Sequence, residues 1–422
     1  MRRKTAVYPT QTAWQNHLCE YNPSQKIVHQ QRNSPLKTQF LLDPDVVFLN
    51  HGSFGATPRP VFANYQAWQL RLERQPVYFI QHELFDHLAE ARRQLGAFVG
   101  ANADDLVFIP NATFGLNIVG RSLTLEPEDE VLTTNHEYGA CSHVWQFLSQ
   151  KQGFRYVPQP IALPATTPEA IVEQLWQGVT PRTRIIFLSH ISSSTALCFP
   201  VAEICRRARQ AGIMTIIDGA HAPGQLPLDL QAIDPDFYFG NLHKWLCSPK
   251  GSAFLYARAD QQALIEPLVV GWGWGPERTM TFGSDFLDYN QWLGTNDVSA
   301  YLAVPTAIQF QAEQDWTAVR QSCHTLLTEA IQRICALTGL PSVYPASGAG
   351  FYHQMATIPL PQLADAVAFK AALLEQFKVE VPIVTWNGRH YIRVSVQAYN
   401  TRADIDTLLE ALATLLPNHA QQ

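Results

Sequence analysis

Between about residues 106 and 256, short apolar runs alternate with stretches of helical periodicity, and this alternation restricts the fold more than any other feature of the chain. The runs lie at 106–110, 130–134, 154–157, 184–189, 214–218, 236–240 and 253–256, and helices fit between several of them. Such a pattern implies an α/β fold: a mostly parallel seven-stranded sheet, covered on both faces, with ligands at the carboxyl ends of its strands.

The flanks read differently. Pro58 and Pro60 suit the first turn of a helix that runs through Gln75 and stops at Pro76. Leu84, Leu88, Ala91, Leu95 and Phe98 recur at steps of three and four, and Gly100 can close that helix. Near 300 the pattern changes to a long helical stretch, 299 to about 337, with Gly339 able to end it. A strand at 355–358, a helix at 364–377 and a last helix from 403 to about 415 follow. Between the last two helices, Asn387-Gly388 separates two β-prone runs and signals a hairpin. The expected division is a polar, poorly ordered arm at 1–40, a large ligand-binding domain at 41–300, and a smaller C-terminal α+β domain at 301–422. A chain of 422 residues accommodates two or three domains and buries enough surface to need no metal or disulfide staple.

Composition excludes some function classes. A net charge of −6 argues against a dedicated nucleic-acid binder, which needs clustered Lys and Arg. The seven cysteines, at 19, 141, 198, 205, 247, 323 and 335, are odd in number and form no CxxC pair, so a disulfide or zinc framework is not expected and a reducing cytoplasm fits best. No run approaches the length of a membrane span, and the basic start MRRKTAVYPTQ has no apolar core behind it, so it does not read as a secretory leader. His82 and His87 in HELFDH are five apart rather than four, which rules out the HExxH zinc helix, and no metal site is expected. His136, His143 and His190 read as packing or hydrogen-bonding histidines. There is no GxGxxG or GxxxxGK[ST] phosphate loop.

The chemistry concentrates in IIDGAHAPGQLPLDLQAIDPDFYFGNLHKWLCSPKG. Asp218 ends an apolar strand, where a buried carboxylate needs a partner. A protonated pyridine nitrogen would serve, and the pair would keep the ring able to accept electrons. Lys244 follows 26 residues later, between His243 and Trp245. In an apolar site its pKa falls, which frees the amine for a Schiff base. Taken singly, an aspartate at a strand end is more often a cap, and a lysine beside Trp is more often a surface residue. The two motifs together favour function.

With FLNHGSFGATPRPV, NATFGLN, NHEYGAC, GTNDVSA and YIRVSVQAYNT, these motifs make the chain resemble, over about residues 45–415, the class V aminotransferase family of fold type I pyridoxal 5′-phosphate (PLP) enzymes, in its isopenicillin N epimerase-like branch. The resemblance implies PLP held by Lys244, with Asp218 on the pyridine nitrogen and His221 near the phenolic oxygen. It implies Ala112 and Thr113 at the phosphate, with Asn241 and His243 adding contacts, and Tyr138 stacked on the ring. Thr295 would reach the phosphate of a neighbouring subunit, which implies a homodimer. Arg393 would clamp the substrate carboxylate, and His51 would face the substrate from the N-terminal loop. Lys244, Tyr138 and His221 are the catalytic candidates.

The reaction is less constrained. Desulfurases of the family carry a cysteine nucleophile shortly before the arginine, whereas here the last cysteine, Cys335, lies 58 residues before Arg393, so a persulfide mechanism is not expected. An epimerase-like enzyme acting at an amino-acid α-carbon is favoured, with a C–S lyase on a cysteine-derived substrate as the alternative. A non-catalytic PLP-binding regulator is the reading from another class. It is disfavoured because both Lys244 and Asp218 are present and no DNA-binding extension precedes the fold.

Overall fold

After a first short strand, β1 (Val47–Phe48), the chain enters the two helices expected from its periodicity and then the central sheet, in a computed structural model that describes residues 36–345, 348 and 350–421. Helix α1 spans Arg59–Arg74 and α2 spans Leu84–Val99, the latter ended by Gly100 at φ 66°. The sequence placed a break at Pro76. The structure instead resumes helix at Pro76–Tyr78 and carries it through a π turn at Phe79–Glu83 into α2, because proline in a first turn costs no hydrogen bond.

The central sheet contains β2 (Leu106–Ile109), β3 (Glu130–Thr134), β4 (Arg155–Gln159), β5 (Thr183–Ser189), β6 (Met214–Asp218), β7 (Phe237–Asn241) and β8 (Ala253–Ala257). Their order is β2-β8-β7-β6-β5-β3-β4, and β8 alone runs against the rest. The seven expected strands are all present, each within two residues of its expected bounds. Every residue of β2, β3, β7 and β8 is buried, as a sheet covered on both faces requires. Alternate residues feed two apolar layers: Val107, Phe187, Phe239 and Leu255 pack on one face, and Phe108, Leu188, Tyr238 and Phe254 on the other. Helices α3 (Ala112–Ser122), α4 (Gly139–Gln152), α5 (Pro168–Trp176) and α6 (Val201–Gln210) connect the strands.

The long helical stretch after 299 is broken. A short turn at Ser299–Leu302 precedes α7 (Val304–Glu313) and α8 (Trp316–Thr338). Pro305 opens α7, and Asp315, at φ 45°, reverses the chain and caps α8 by accepting the Ala318 N–H at 3.3 Å. Apolar periodicity runs across this break, so it hid the joint. Then come β9 (Met355–Pro359), α9 (Ala366–Phe377), β10 (Val379–Glu380), β11 (Ile383–Trp386), β12 (Arg389–Ser395) and α10 (Arg402–His419). Strands β11, β12 and β9 form an antiparallel sheet, and Asn387 and Gly388, both at positive φ, make the expected two-residue turn.

One grouping differs from the sequence reading. Strand β1 was assigned to the large domain, yet it pairs in parallel with β10, and the Ser395 N–H bonds Leu49 O at 2.9 Å. Two-residue strands carry no periodicity, so this pairing left no trace in the sequence. It brings residues 50–54 beside β12. Most of the 1–40 arm lies outside the described residues; of its end, Lys37–Gln39 form one 3-10 turn and Phe40 is buried.

Candidate active site

The carboxyl ends of β2, β3, β5, β6 and β7 converge on one cavity of about 520 Å³. Its walls include Ala112 and Thr113 after β2, Tyr138 after β3, Ser189 and Ser193 from β5 and its following loop, Asp218, Asn241 and Lys244. Parallel strands that start in a common layer end in a common layer, so residues distant in sequence meet here. Gly52, Ser53 and Phe54 close the cavity from the segment that β1 anchors, and Arg393 enters from β12.

Lys244 is buried, and its Nζ lies 3.0 Å from His221 Nε2. On the other side of that ring, the Trp245 indole N–H donates to His221 Nδ1 at 3.3 Å. An indole can only donate, so a neutral His221 carries its proton on Nε2 and donates to the lysine, which must then be an uncharged amine. Electrostatics agree. Burial, reinforced by the Arg393 cation and opposed by Asp218, lowers Lys244 to about 7. Burial and then Lys244 hold His221 well below the usual histidine range.

Asp218 is 3 % exposed, and one carboxylate oxygen accepts the Ala220 N–H at 2.9 Å. The other receives only the Cys141 thiol, at 3.4 Å. Burial raises its pKa, with Lys244 and these hydrogen bonds acting against the shift. A cationic ring nitrogen at that oxygen would replace a weak donor by a charged one. Helix α3 begins at Ala112, with Asn111 capping the Phe114 N–H at 2.9 Å. Asn241 Oδ1 accepts the Ala112 N–H at 2.9 Å, so Asn241 braces this turn rather than presenting that N–H to a ligand. The Thr113 hydroxyl has no partner among the described residues and borders the cavity at the helix N-terminus, where an anion is favoured. His243 borders it too, its Nδ1 3.1 Å from Ser252 O.

Arg393 is 6 % exposed and has no carboxylate partner among the described residues. Its Nη1 donates to Ser193 O at 2.7 Å and Ser193 Oγ at 3.1 Å, and Nη2 donates to Ser53 Oγ at 2.8 Å. Nε is buried and unpaired. A guanidinium has five N–H groups, so the Nε–Nη2 edge keeps two for a ligand, the fork that fits a carboxylate. Burial lowers its pKa to about 10, so it remains a cation.

One expected site residue lies elsewhere. His51 does not line the cavity: its ring is fully buried, bonded to Tyr399 Oη at 2.9 Å and to the Lys244 main-chain oxygen at 2.9 Å. It holds the lysine's backbone, and its neighbours Gly52 and Ser53 take the cavity wall. Thr295, expected at the phosphate of a neighbouring subunit and not in this wall, is exposed. His136 and His190 are buried in hydrogen bonds to Thr195 and Tyr238, as packing histidines. Residues that sequence reasoning missed are Ser53, Ser193, Cys141 and Ser189. Ser193 follows β5 and was findable from the strand-end rule; Ser53 had no signal, because only the β1–β10 pairing brings it near. Among the described residues, no group of three or more His, Cys, Asp or Glu is placed to hold a metal ion, and no helix is long and apolar enough to cross a membrane.

The aminotransferase class-V profile matches residues 56–408, most of the chain. The chain belongs to that family. Its cofactor is therefore pyridoxal phosphate, and the unpartnered fork of Arg393, the neutral Lys244 amine and the weakly paired Asp218 oxygen all fit that group with an amino-acid ligand. The chain is 35% identical over 393 residues to isopenicillin N epimerase of Amycolatopsis lactamdurans, covering 90% of this chain and 97% of the relative. It is 28% identical over 421 residues to a putative L-cysteine desulfhydrase 2 of Oryza sativa, covering 89% and 85%. Among solved structures, the cysteine desulfurase CsdA of Escherichia coli superposes with a TM-score of 0.77 at 21% identity, covering 92% of this chain and 98% of that one. That likeness establishes the fold, fold type I, and leaves the reaction open.

Proposed function

We propose that this protein is a PLP-dependent enzyme that moves a proton at the α-carbon of an amino-acid substrate, as an epimerase does. The observation that carries the reading is the shared cavity: the Lys244 amine, the Asp218 carboxyl group and the open fork of Arg393 border one space. PLP supplies the electron sink that stabilises negative charge at the α-carbon. Lys244, its pKa lowered to about 7, would hold the cofactor and serve as the base. Asp218 would pair with the ring nitrogen, His221 would donate from Nε2, Thr113 and His243 would hold the phosphate, and Tyr138 would cover the ring. Arg393 fixes the substrate carboxylate, and so sets which α-carbon bond faces Lys244.

The 35% identity to an epimerase supports racemising chemistry, and the 28% identity to a cysteine desulfhydrase supports β-elimination as the second reading. Against desulfuration stands the segment before Arg393, a two-residue β11–β12 turn without cysteine. Cys141, which borders the cavity, is bonded to Asp218, and burial holds its thiol pKa well above the usual range. The same proposal includes a homodimer in a reducing cytoplasm. Its supports are the exposed Thr295 in GTNDV, the exposed apolar Val270, Trp272 and Trp274 nearby in sequence, and the free thiols. Incubation with amino acids in heavy water separates the readings. Deuterium at the α-carbon without pyruvate is the expected result, and pyruvate release assigns the lyase instead. No exchange and no product with any amino acid, in a protein that borohydride does not label at Lys244, would end the enzyme reading.

A further inference from the structure

Behind Asp218 lies a second buried carboxylate that the chemistry above leaves without a task. Glu137 precedes α4, is 8 % exposed, and sits over the ends of β3 and β5. Thr134 Oγ1 donates to its Oε1 at 2.5 Å, while the Ser189 N–H and hydroxyl donate to Oε2 at 2.8 and 2.7 Å. Thr134 Oγ1 in turn accepts the His136 N–H at 3.1 Å, so its own proton points to the glutamate. Three donors aimed at one group are the arrangement that stabilises an anion.

What is missing is a cation. Glu130, also buried, takes Arg155 at 2.9 Å and Arg182 at 3.0 Å. Glu137 has no Lys, Arg or His partner among the described residues, although a buried unpaired charge is costly. Ser189, which holds it, borders the cavity and stands in register with Asp218 on the adjacent strand. Burial lifts Glu137 to about 7, with the Asp218 charge adding to the rise and the Thr134 and Ser189 hydrogen bonds opposing it.

We propose that Glu137 is a positioning residue that acts through Ser189 and Asp218 to hold the cofactor's ring nitrogen in its cationic form. The pyridinium is then the counter-ion that the acid pair lacks in the polypeptide alone, and each acid strengthens the other's hold on it. This rests on the PLP reading. Glu137→Gln keeps the shape and removes the charge, so it should selectively weaken ligands with a basic ring nitrogen.

The test uses cofactor-free full-length protein and two probes, PLP and its carbocyclic analogue with CH in place of the ring nitrogen. Wild-type protein must first bind PLP and be labelled by borohydride at Lys244; failure there ends the PLP reading itself. In Glu137→Gln the Kd for PLP should rise about tenfold, one pKa unit of ring stabilisation, while the Kd for the analogue stays within about twofold. Glu137→Asp, which retains a charge, should recover most of the difference. Should Glu137→Gln not fold, Thr134→Val removes one donor to the carboxylate from outside the cavity and should shift the ratio in the same direction. Equal losses for both probes, or no loss for either, would show a merely structural glutamate and overturn the proposal.

Discussion

Arg393 gives the sharpest test of the substrate class. Two N–H groups on its Nε–Nη2 edge have no acceptor, and Nε is buried. A substrate carboxylate would receive both as charge-assisted bonds from a largely buried guanidinium. Removing one partner of such a buried pair costs about 3–5 kcal/mol, on the order of a hundred- to several-thousandfold in Kd. In Arg393→Ala, then, an amino acid that binds the wild type should weaken by that factor. Its carboxamide, which cannot form the ion pair, should weaken far less. The comparison matters because Arg393 also depresses Lys244 and holds Ser53 and Ser193, so the substitution has effects of its own. Those effects act on acid and amide alike and cancel in the ratio. The assay is a visible-absorbance titration of PLP-loaded protein with both ligands. If the variant still prefers the acid over the amide as strongly as wild type, Arg393 is not the carboxylate site.

Two further outcomes follow from the same geometry. In cofactor-free protein, borohydride-trapped capture of PLP should rise with pH about a midpoint near 7, because that is where burial places Lys244, and a midpoint near 10.5 would contradict the burial argument. The folded pKa lies below the unfolded one, so this lysine's cost to stability is full below about 7 and fades as pH rises toward 10.5; a urea-denaturation series on cofactor-free Lys244→Met should lack that part of the slope. Gly55→Ala would put a Cβ 2.0 Å from the His243 carbonyl oxygen at a φ of 71°, and backbone must move to admit it. Loss of PLP on dialysis and a stability drop of at least about 1–2 kcal/mol are expected; unchanged retention would mean that the 243–244 segment does not depend on this approach.

The central sheet was legible because a buried strand is written locally, as a short apolar run between turns, and all seven appeared close to where they were expected. Asp218 and Lys244 were legible for a related reason: Asp218 ends β6 and Lys244 lies three residues past the end of β7, so strand ends located them. His51 was misread because LNHGSFG signals a turn but not which side of it faces the cavity; the ring went inward to Tyr399 and the Lys244 carbonyl. Ser53 was invisible for a deeper reason. Its position depends on a two-residue strand pairing with one more than 300 residues away, and no local pattern encodes a contact of that kind. Asn241 shows the intermediate case: its placement at a strand end was readable, but that it braces Ala112 required the side-chain geometry.

The division between what was readable and what was not follows the division between shared chemistry and particular chemistry. The sheet ends place side by side an amine whose pKa burial lowers to about 7, a weakly paired carboxylate and a helix start, the parts that the proposed function assigns to PLP. A cysteine desulfurase superposes on this chain with a TM-score of 0.77 at 21% identity, a likeness of fold that does not fix the reaction. In the proposed function the choice falls to the groups that line the cavity beyond the strands, namely residues 52–54, Tyr138, Ser193 and Arg393, which would orient the substrate. Ser53, in the short helix His51–Phe54, and Ser193, in the loop after β5, bond the two Nη atoms of the guanidinium, so these two segments fix the direction of its open edge. Substitutions at these two serines should therefore alter which bond of the α-carbon faces Lys244, whereas substitutions on β6 or β7 should alter whether the cofactor is held at all.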